Sequence, residues 1–372
     1  MTSKTYAGNY FEDFTVGQEL VHTSPRTVTV GDAALYTALY GSRFALTSGE
    51  TFAASMGMER MPLDPLLVFH TVFGKTVPEV SLNAVANLGY AACRFTAPVF
   101  PGDTLAARSE IVGIKANRDG KTGVVYVHST GTNQHGDVVL DYVRWVMVRK
   151  RDESSPAPET LIPQLPTVVA AADLVVPPGL TGADYDIALA GSPFLWDDYE
   201  VGERIDHVDG MTIEEAEHMT ATRLWHNTAK VHFNQFVEKD GRFGRRIVYG
   251  GHLISIARAL SHNGLANAQT ILAINAGTHC NPTFAGDTVH AWSEVLERFE
   301  LPGRTDVGAL RTRLVATKDL PCTNFPLRDE GGTYLPNVVL DLDLTLLVPR
   351  RSPRPVLGWP HADRPARPLD GE

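Results

Sequence analysis

The chain has 372 residues, 43% hydrophobic and 20% charged, with a formal net charge of −10. Such a length allows two or three domains of roughly 100–200 residues, and the apolar content suits packed cores rather than disorder. The acidic balance argues against non-specific nucleic-acid binding, which needs a basic field, but leaves room for an anionic small ligand in a local basic pocket.

Taken in chain order, a motif Tyr10-Phe11-Glu12-Asp13-Phe14-Thr15-Val16-Gly17 comes first. The stretch from Met1 to Gly17 is polar and carries no apolar leader, so no secretory signal is expected. A short helix is expected over 30–40 and a longer apolar one over 65–75. Strands are expected over 84–96, 104–114, 123–132 and 137–148, with Pro98-Val99-Phe100-Pro101-Gly102-Asp103-Thr104 at the entry to the second. Residues 151–189 form a linker whose 152–178 portion is rich in Pro, Ser, Ala and Thr. It is the expected site of mild proteolysis.

The same order then repeats. Pro193-Phe194-Leu195-Trp196-Asp197-Asp198-Tyr199-Glu200-Val201-Gly202 echoes the first motif at an offset of 185, and Pro282-Thr283-Phe284-Ala285-Gly286-Asp287-Thr288 echoes the second at 184. Helices are expected over 213–225 and 251–262, and strands over 269–279, 288–296, 308–317 and 338–348. Two motifs at nearly one offset imply two copies of one fold, 1–150 and 190–350, followed by a Pro/Arg-rich tail over 351–372. A buried helix followed by antiparallel strands is an α+β layering with the sheet wrapped around the helix, the hot-dog arrangement. The expectation is therefore a double hot-dog in which edge strands of the two units pair.

Cys93, Cys280 and Cys322 are sparse and show no C-x-x-C spacing, so reduced thiols in a cytoplasmic protein are expected. No run of about 18 apolar residues suggests a membrane span. No dinucleotide fingerprint or P-loop is present, so no redox cofactor is expected.

The segment Leu224-Trp225-His226-Asn227-Thr228-Ala229-Lys230-Val231-His232-Phe233 follows a short helix and precedes an apolar one opened by Ile247-Val248-Tyr249-Gly250-Gly251. Here the chain resembles the R-specific enoyl-CoA hydratases of the MaoC-like family, whose motif is Asp-x-Asn-Pro-(Ile/Leu)-His followed by a stretch that opens the central helix. His232 falls on the family histidine, and Gly250 follows it by 18 residues, as the pattern requires. Asn227 stands at the family Asp, Ala229 at its Asn and Lys230 at its Pro. In the first copy the equivalent positions are Ser42, Thr47 and Pro65, so that copy is expected to be non-catalytic.

The resemblance implies a hydro-lyase that adds water to, or removes it from, an acyl-CoA thioester, with β-methylmalyl-CoA and mesaconyl-CoA as the expected pair. CoA then belongs to the substrate, and a homo-oligomer is expected. The chemistry needs a proton-transfer group, which His232 can supply, and an oxyanion donor, for which the N–H of Gly250 at a helix start is suited. Asn227 fits an acid-bearing substrate, because an Asp about 4 Å from a substrate carboxylate would be repelled by about 4 kcal/mol at an effective dielectric near 20. Arg258, Lys230 and Arg223 are candidates for pairing with that carboxylate, Arg245 and Arg246 for the CoA phosphates, and Tyr249 for the acyl group. The plain alternative for each cation is a solvated surface charge. His226, His252 and His279 with His232 lack the spacing of zinc ligands, so no metal is expected. Two other functions remain: a hot-dog thioesterase, disfavoured because no Asp or Glu lies between Gly250 and His262, and a non-catalytic acyl-CoA-binding protein.

Overall fold

The computed structural model describes residues 4–351. Its strands are β1 (Glu19–Val21), β2 (Arg26–Thr27), β3 (Ala84–Phe95), β4 (Thr104–Ala116), β5 (Thr122–Thr132), β6 (Val138–Arg149), β7 (Arg204–Thr212), β8 (Thr270–His279), β9 (Thr288–Glu300), β10 (Val307–Lys318) and β11 (Val338–Pro349). Its helices are α1 (Val30–Tyr40), α2 (Glu50–Ser55), α3 (Pro65–Thr76), α4 (Ile187–Ala190), α5 (Glu215–Leu224), α6 (Lys230–Phe233), α7 (Gln235–Glu238), α8 (Gly250–Leu260) and α9 (His262–Leu265). Every helix and strand expected from periodicity is present within a few residues of its expected ends. The tail over 351–372 lies outside the described residues apart from Arg351.

The strands form one antiparallel sheet in the order β1-β4-β5-β6-β3-β8-β11-β10-β9-β7, with β2 paired to β4. Read outward from the middle, the two halves follow the same order, so the units are related about the β3–β8 junction. There Tyr90 faces Gly277, and Cys93 faces Ile274. This pairing removes the inner edge of each sheet, as expected for a double hot-dog.

The repeated motifs have the same physical role in both units. Asp13 accepts the Tyr10 N–H at 2.9 Å and Asp198 accepts the Leu195 N–H at 2.8 Å, closing matching turns. Gly17 and Gly202 follow with φ of +81° and +89°. The Gly-Asp pairs are strand-entry turns. Asp103 accepts the Phe100 N–H at 2.8 Å and Asp287 accepts the Phe284 N–H at 2.9 Å.

Helices α3 and α8 are the central helices. Every residue of α3 from Leu66 to Thr76, and of α8 from Gly251 to Leu260, is buried. That is why their apolar pattern runs around the helix rather than along one stripe. They pack antiparallel. Tyr249, which caps α8, meets Phe73 late in α3 with ring centroids 5.8 Å apart, and Arg258 near the end of α8 feels the charge of Asp64 at the start of α3. One apolar core runs through both units, joining Val72, Phe73 and Tyr90 to Leu253, Ile254 and Ile274. Gly74 brings α3 against the segment after α5, where a Cβ would overlap the Trp225 carbonyl.

The linker is held more firmly than its composition suggests. Leu161 and Ile114 exchange backbone hydrogen bonds at 2.9 Å, the Val169 N–H donates to Asn275 Oδ1 at 3.0 Å, and the Thr181 N–H donates to the Met56 carbonyl at 2.8 Å. Val175 and Pro177 line a cleft of the first unit with Leu46, Pro65 and Val68. Asp152 and Ser155 are bonded to Glu12, so the expected cleavage region narrows to 156–160, between these bonds and the Leu161 pair. Brief subtilisin treatment should cut there, and the two fragments should co-elute on a sizing column. Separate, stable halves would contradict the shared core.

Candidate functional site

His232 lies on the single turn α6. Its Nδ1 donates to the Ile247 carbonyl at 3.0 Å, which fixes the ring and leaves Nε2 as the free lone pair. The Ile247 N–H donates back to the Val231 carbonyl at 3.1 Å, so the segment leading into α8 holds the histidine in place. Tyr249 stands edge-on to the imidazole with centroids 5.7 Å apart.

Gly250 opens α8, and no side chain caps that helix. Its first-turn N–H groups keep the partial positive charge of a helix start for an incoming anion. The first unit is built differently at the same place. Asp64 caps α3 by accepting the Leu66 N–H at 2.8 Å, and Pro65 has no N–H to give. Thr47, opposite His232 in the repeat, turns its hydroxyl to the Phe44 carbonyl at 3.3 Å.

Two residues that the sequence reading did not place in the site stand at its centre. The His279 ring lies over Gly250, where any Cβ would overlap it. Its Nε2 is 3.1 Å from the Tyr90 hydroxyl, and its buried Nδ1 has no partner. Tyr90 comes from β3, so the first unit supplies part of the second unit's site. Behind them runs a buried polar seam. The Tyr249 hydroxyl is 3.4 Å from His70 Nδ1, His70 Nε2 is 2.9 Å from Ser255 Oγ, and the Tyr36 hydroxyl donates to Ser255 at 3.2 Å. Tyr40 meets His252 Nδ1 at 3.0 Å.

Asn227 is buried, and its Oδ1 accepts the Ala229 N–H at 3.2 Å. The amide thus shapes the turn into α6, and a side chain so held offers its Nδ2 donors to a ligand or water. Of the expected cations, Lys230 is exposed and reaches Asn83 Oδ1 at 3.3 Å, while Arg223 is exposed on α5. Arg245 lies over the Phe284 ring at 4.0 Å, and Arg246 is ion-paired to Glu215. Arg258 does not join the cluster. It lies roughly 12 Å along the helix axis from Gly250, stacks on Phe44 at 3.6 Å and bonds Ser261 and Ala268. Its contacts there are packing and charge balance at the Asp64 end of α8, away from His232 and Gly250. No group of three or more His, Cys, Asp or Glu poised for a metal occurs among the described residues.

Burial sets the ionisation of the site. It pulls His232 down to about 4 with the Ile247 carbonyl opposing, and His279 down to about 4 with help from His232. His70 and His252 fall to about 3, again chiefly through burial. All four are therefore neutral at pH 7. These folded values lie below the ordinary 6.5, so between about pH 6.5 and 4 the unfolded chain binds more protons, and stability falls as pH falls. At pH 5 His70 and His252, the two fully buried ones, should each have lost up to about 2 kcal/mol. A Tm that drops steeply from pH 7 to pH 5 is expected by calorimetry. A Tm unchanged across that window would show the ring nitrogens to be solvated.

The comparisons with known proteins agree with the double hot-dog fold. The family model of mesaconyl-CoA hydratase matches residues 2–321. The chain is 66% identical over 351 residues to β-methylmalyl-CoA dehydratase of Chloroflexus aurantiacus, covering 94% of this chain and all of that one. It is 59% identical over 349 residues to mesaconyl-CoA hydratase of Cereibacter sphaeroides, covering 93% of this chain and all of that one. The solved structure of a MaoC-domain dehydratase from C. aurantiacus superposes with a TM-score of 0.92 at 66% identity, over 94% of this chain and 100% of that one. A Mycobacterium tuberculosis protein described as a double hotdog fold superposes with a TM-score of 0.74 at 26% identity, over 92% and 99% of the two chains. With a family match over most of its length and relatives this similar end to end, the chain belongs to the mesaconyl-CoA hydratase family, of MaoC-like double hot-dog architecture.

Proposed function

We propose that this protein is a hydro-lyase that interconverts β-methylmalyl-CoA and mesaconyl-CoA plus water, at one site per chain, in the second unit. The observation that carries the mechanism is the convergence of His232, His279 and the uncapped start of α8 at Gly250. The substrate brings its own CoA, and neither a metal nor a further cofactor is needed for the steps below.

In hydration, Nε2 of neutral His232 takes a proton from a water held beside Asn227, and the water oxygen adds to C3 of the enoyl thioester. Negative charge moves to the thioester oxygen and is met by the Gly250 N–H and the helix start, where one such donor is typically worth about 10²–10³ in rate. A proton then returns to C2. Because burial weakens the imidazole as a base, the imidazolium formed is a strong acid for that return step. His279, bonded to Tyr90 and seated over the same glycine, is the second ionisable group within reach of the reacting atoms. Dehydration reverses each step. The first unit offers neither a base nor a free N–H at the matching positions, Thr47 and Pro65, and it contributes structure instead.

None of the described helices is long and apolar enough to cross a membrane, and we carry the expected cytoplasmic location and self-association forward as part of this reading. Phe233, Phe236, Val237 and Phe243, exposed around α6 and α7, are the apolar face on which copies would meet.

The test is turnover of mesaconyl-CoA, followed as loss of the conjugated enoyl absorbance with the hydrated product identified by mass. No thiol should be released, which separates this activity from a thioesterase. The rate should be level from pH 6 to 8 and fall below about pH 5, because protonation of His232 removes its lone pair. His232→Ala should stay folded and lose at least about 10² in rate, whereas Thr47→Ala should keep its activity. Near-normal turnover by His232→Ala would remove that residue from the mechanism.

A further inference from the structure

Arg144, in β6 of the first unit, is fully buried, with an exposure of 0%. Its neighbours are neutral. One guanidinium nitrogen donates to Thr76 Oγ1 at 2.8 Å and Ser81 Oγ at 3.3 Å, another reaches Asn87 Oδ1 at 3.5 Å, and the group lies 4.2 Å over the Phe73 ring. It has no ion-pair partner among the described residues. Glu79, in the turn that follows α3, is bound to His22 Nδ1 at 2.9 Å instead. Taking a cation out of water without a counter-charge is costly, and proteins rarely keep one without a use.

The donors around it are also incomplete. Arg144 Nε and Asn87 Nδ2 are buried and have no partner. The Tyr142 hydroxyl, two residues along the same strand face, lies near Ser129 and Thr76 but forms no well-shaped hydrogen bond. One unpaired cation and three unfilled donors are what a bound carboxylate would complete.

The fold does not require an arginine there. Arg144 pairs with Val127 of β5, and at the same 185-residue offset Thr312 of β10 pairs with Leu344. The second unit thus holds a leucine at the equivalent place. What differs is position relative to the site. Arg144 faces Tyr90 across β3 and β6, and Tyr90 bonds His279. Phe73, under the guanidinium, lies against Tyr249, the residue before Gly250. The arginine is thus joined to the site through Tyr90 and His279 on one side and through Phe73 and Tyr249 on the other.

We propose that Arg144, with Asn87 and Tyr142, is the binding point for the far carboxylate of an acyl-CoA with a four-carbon diacid backbone, so that the first unit reads the acid that the second unit's site transforms. This rests on the hydratase reading for its substrate class, but its test does not depend on turnover. Succinyl-CoA and butyryl-CoA are saturated four-carbon thioesters with and without the carboxylate, and their binding to the full-length chain is measured by calorimetry.

Wild type should prefer succinyl-CoA. Arg144→Leu, which copies the second unit, should lose about 10²-fold in succinyl-CoA affinity while butyryl-CoA affinity stays unchanged. Equal losses for both ligands, or no loss for either, would overturn the assignment and return the carboxylate to a cation such as Lys230. Should Arg144→Leu fail to fold, Arg144→Lys keeps the charge but not the fork. It should lose part of the succinyl-CoA preference and none of the butyryl-CoA affinity, and an equal loss again overturns the proposal. If wild type shows the binding preference but no turnover of mesaconyl-CoA, the hydratase reading falls and the carboxylate site stands. Turnover without the preference has the opposite meaning.

Discussion

The two buried helices must share one sheet, and most of the rest depends on that. Neither α3 nor α8 has a face left for solvent, so each is covered by its own half of the sheet and by the other unit. Polar groups trapped between them have to satisfy one another. The Tyr249–His70–Ser255–Tyr36 seam does this. The same dry surroundings hold the site histidines neutral, which suits a group that must accept a proton, and they strengthen every dipole aimed at the thioester oxygen.

Duplication followed by divergence accounts for the single site per chain proposed above. Both units keep the turns, the strand order and the central helix. In the first, Asp64 and Pro65 use up or remove the N–H groups that an oxyanion needs, and the linker residues Val175 and Pro177 line the matching cleft. In this reading the first unit supports the second. It sends Tyr90 to His279, His70 into the seam and Lys75, Phe73 and Gly74 to the end of α3 that faces the site. A close approach at Gly74 fixes that support, since a side chain there would strike the Trp225 carbonyl.

Much of this was legible in the sequence. The eight long strands alternate or run apolar, and the paired motifs at one offset revealed the repeat. His232 and Gly250 were visible because they fall on the positions and spacing of the MaoC-like motif that the chain resembles. What stayed hidden depends on long-range pairing. Tyr90 and His279 are 189 residues apart and meet only because β3 and β8 join. Strand β7 has too many exposed residues to alternate clearly, and α6 and α7 are four residues each, too short to show a period. Arg258 lies two turns into α8, as expected, and Phe44 and Ala268 hold it there, contacts that local sequence does not show. Asn227 has a local duty that composition could not reveal, because its amide closes the turn before α6.

The central claim is that two units build a single acyl-CoA site. Titration of the full-length chain with a non-reactive thioester such as butyryl-CoA measures it directly. One molecule bound per chain, abolished by substitutions that block the Gly250 end and unaffected by Thr47→Ala, is the expected result. Two molecules per chain, or one that survives blocking of Gly250, would contradict it.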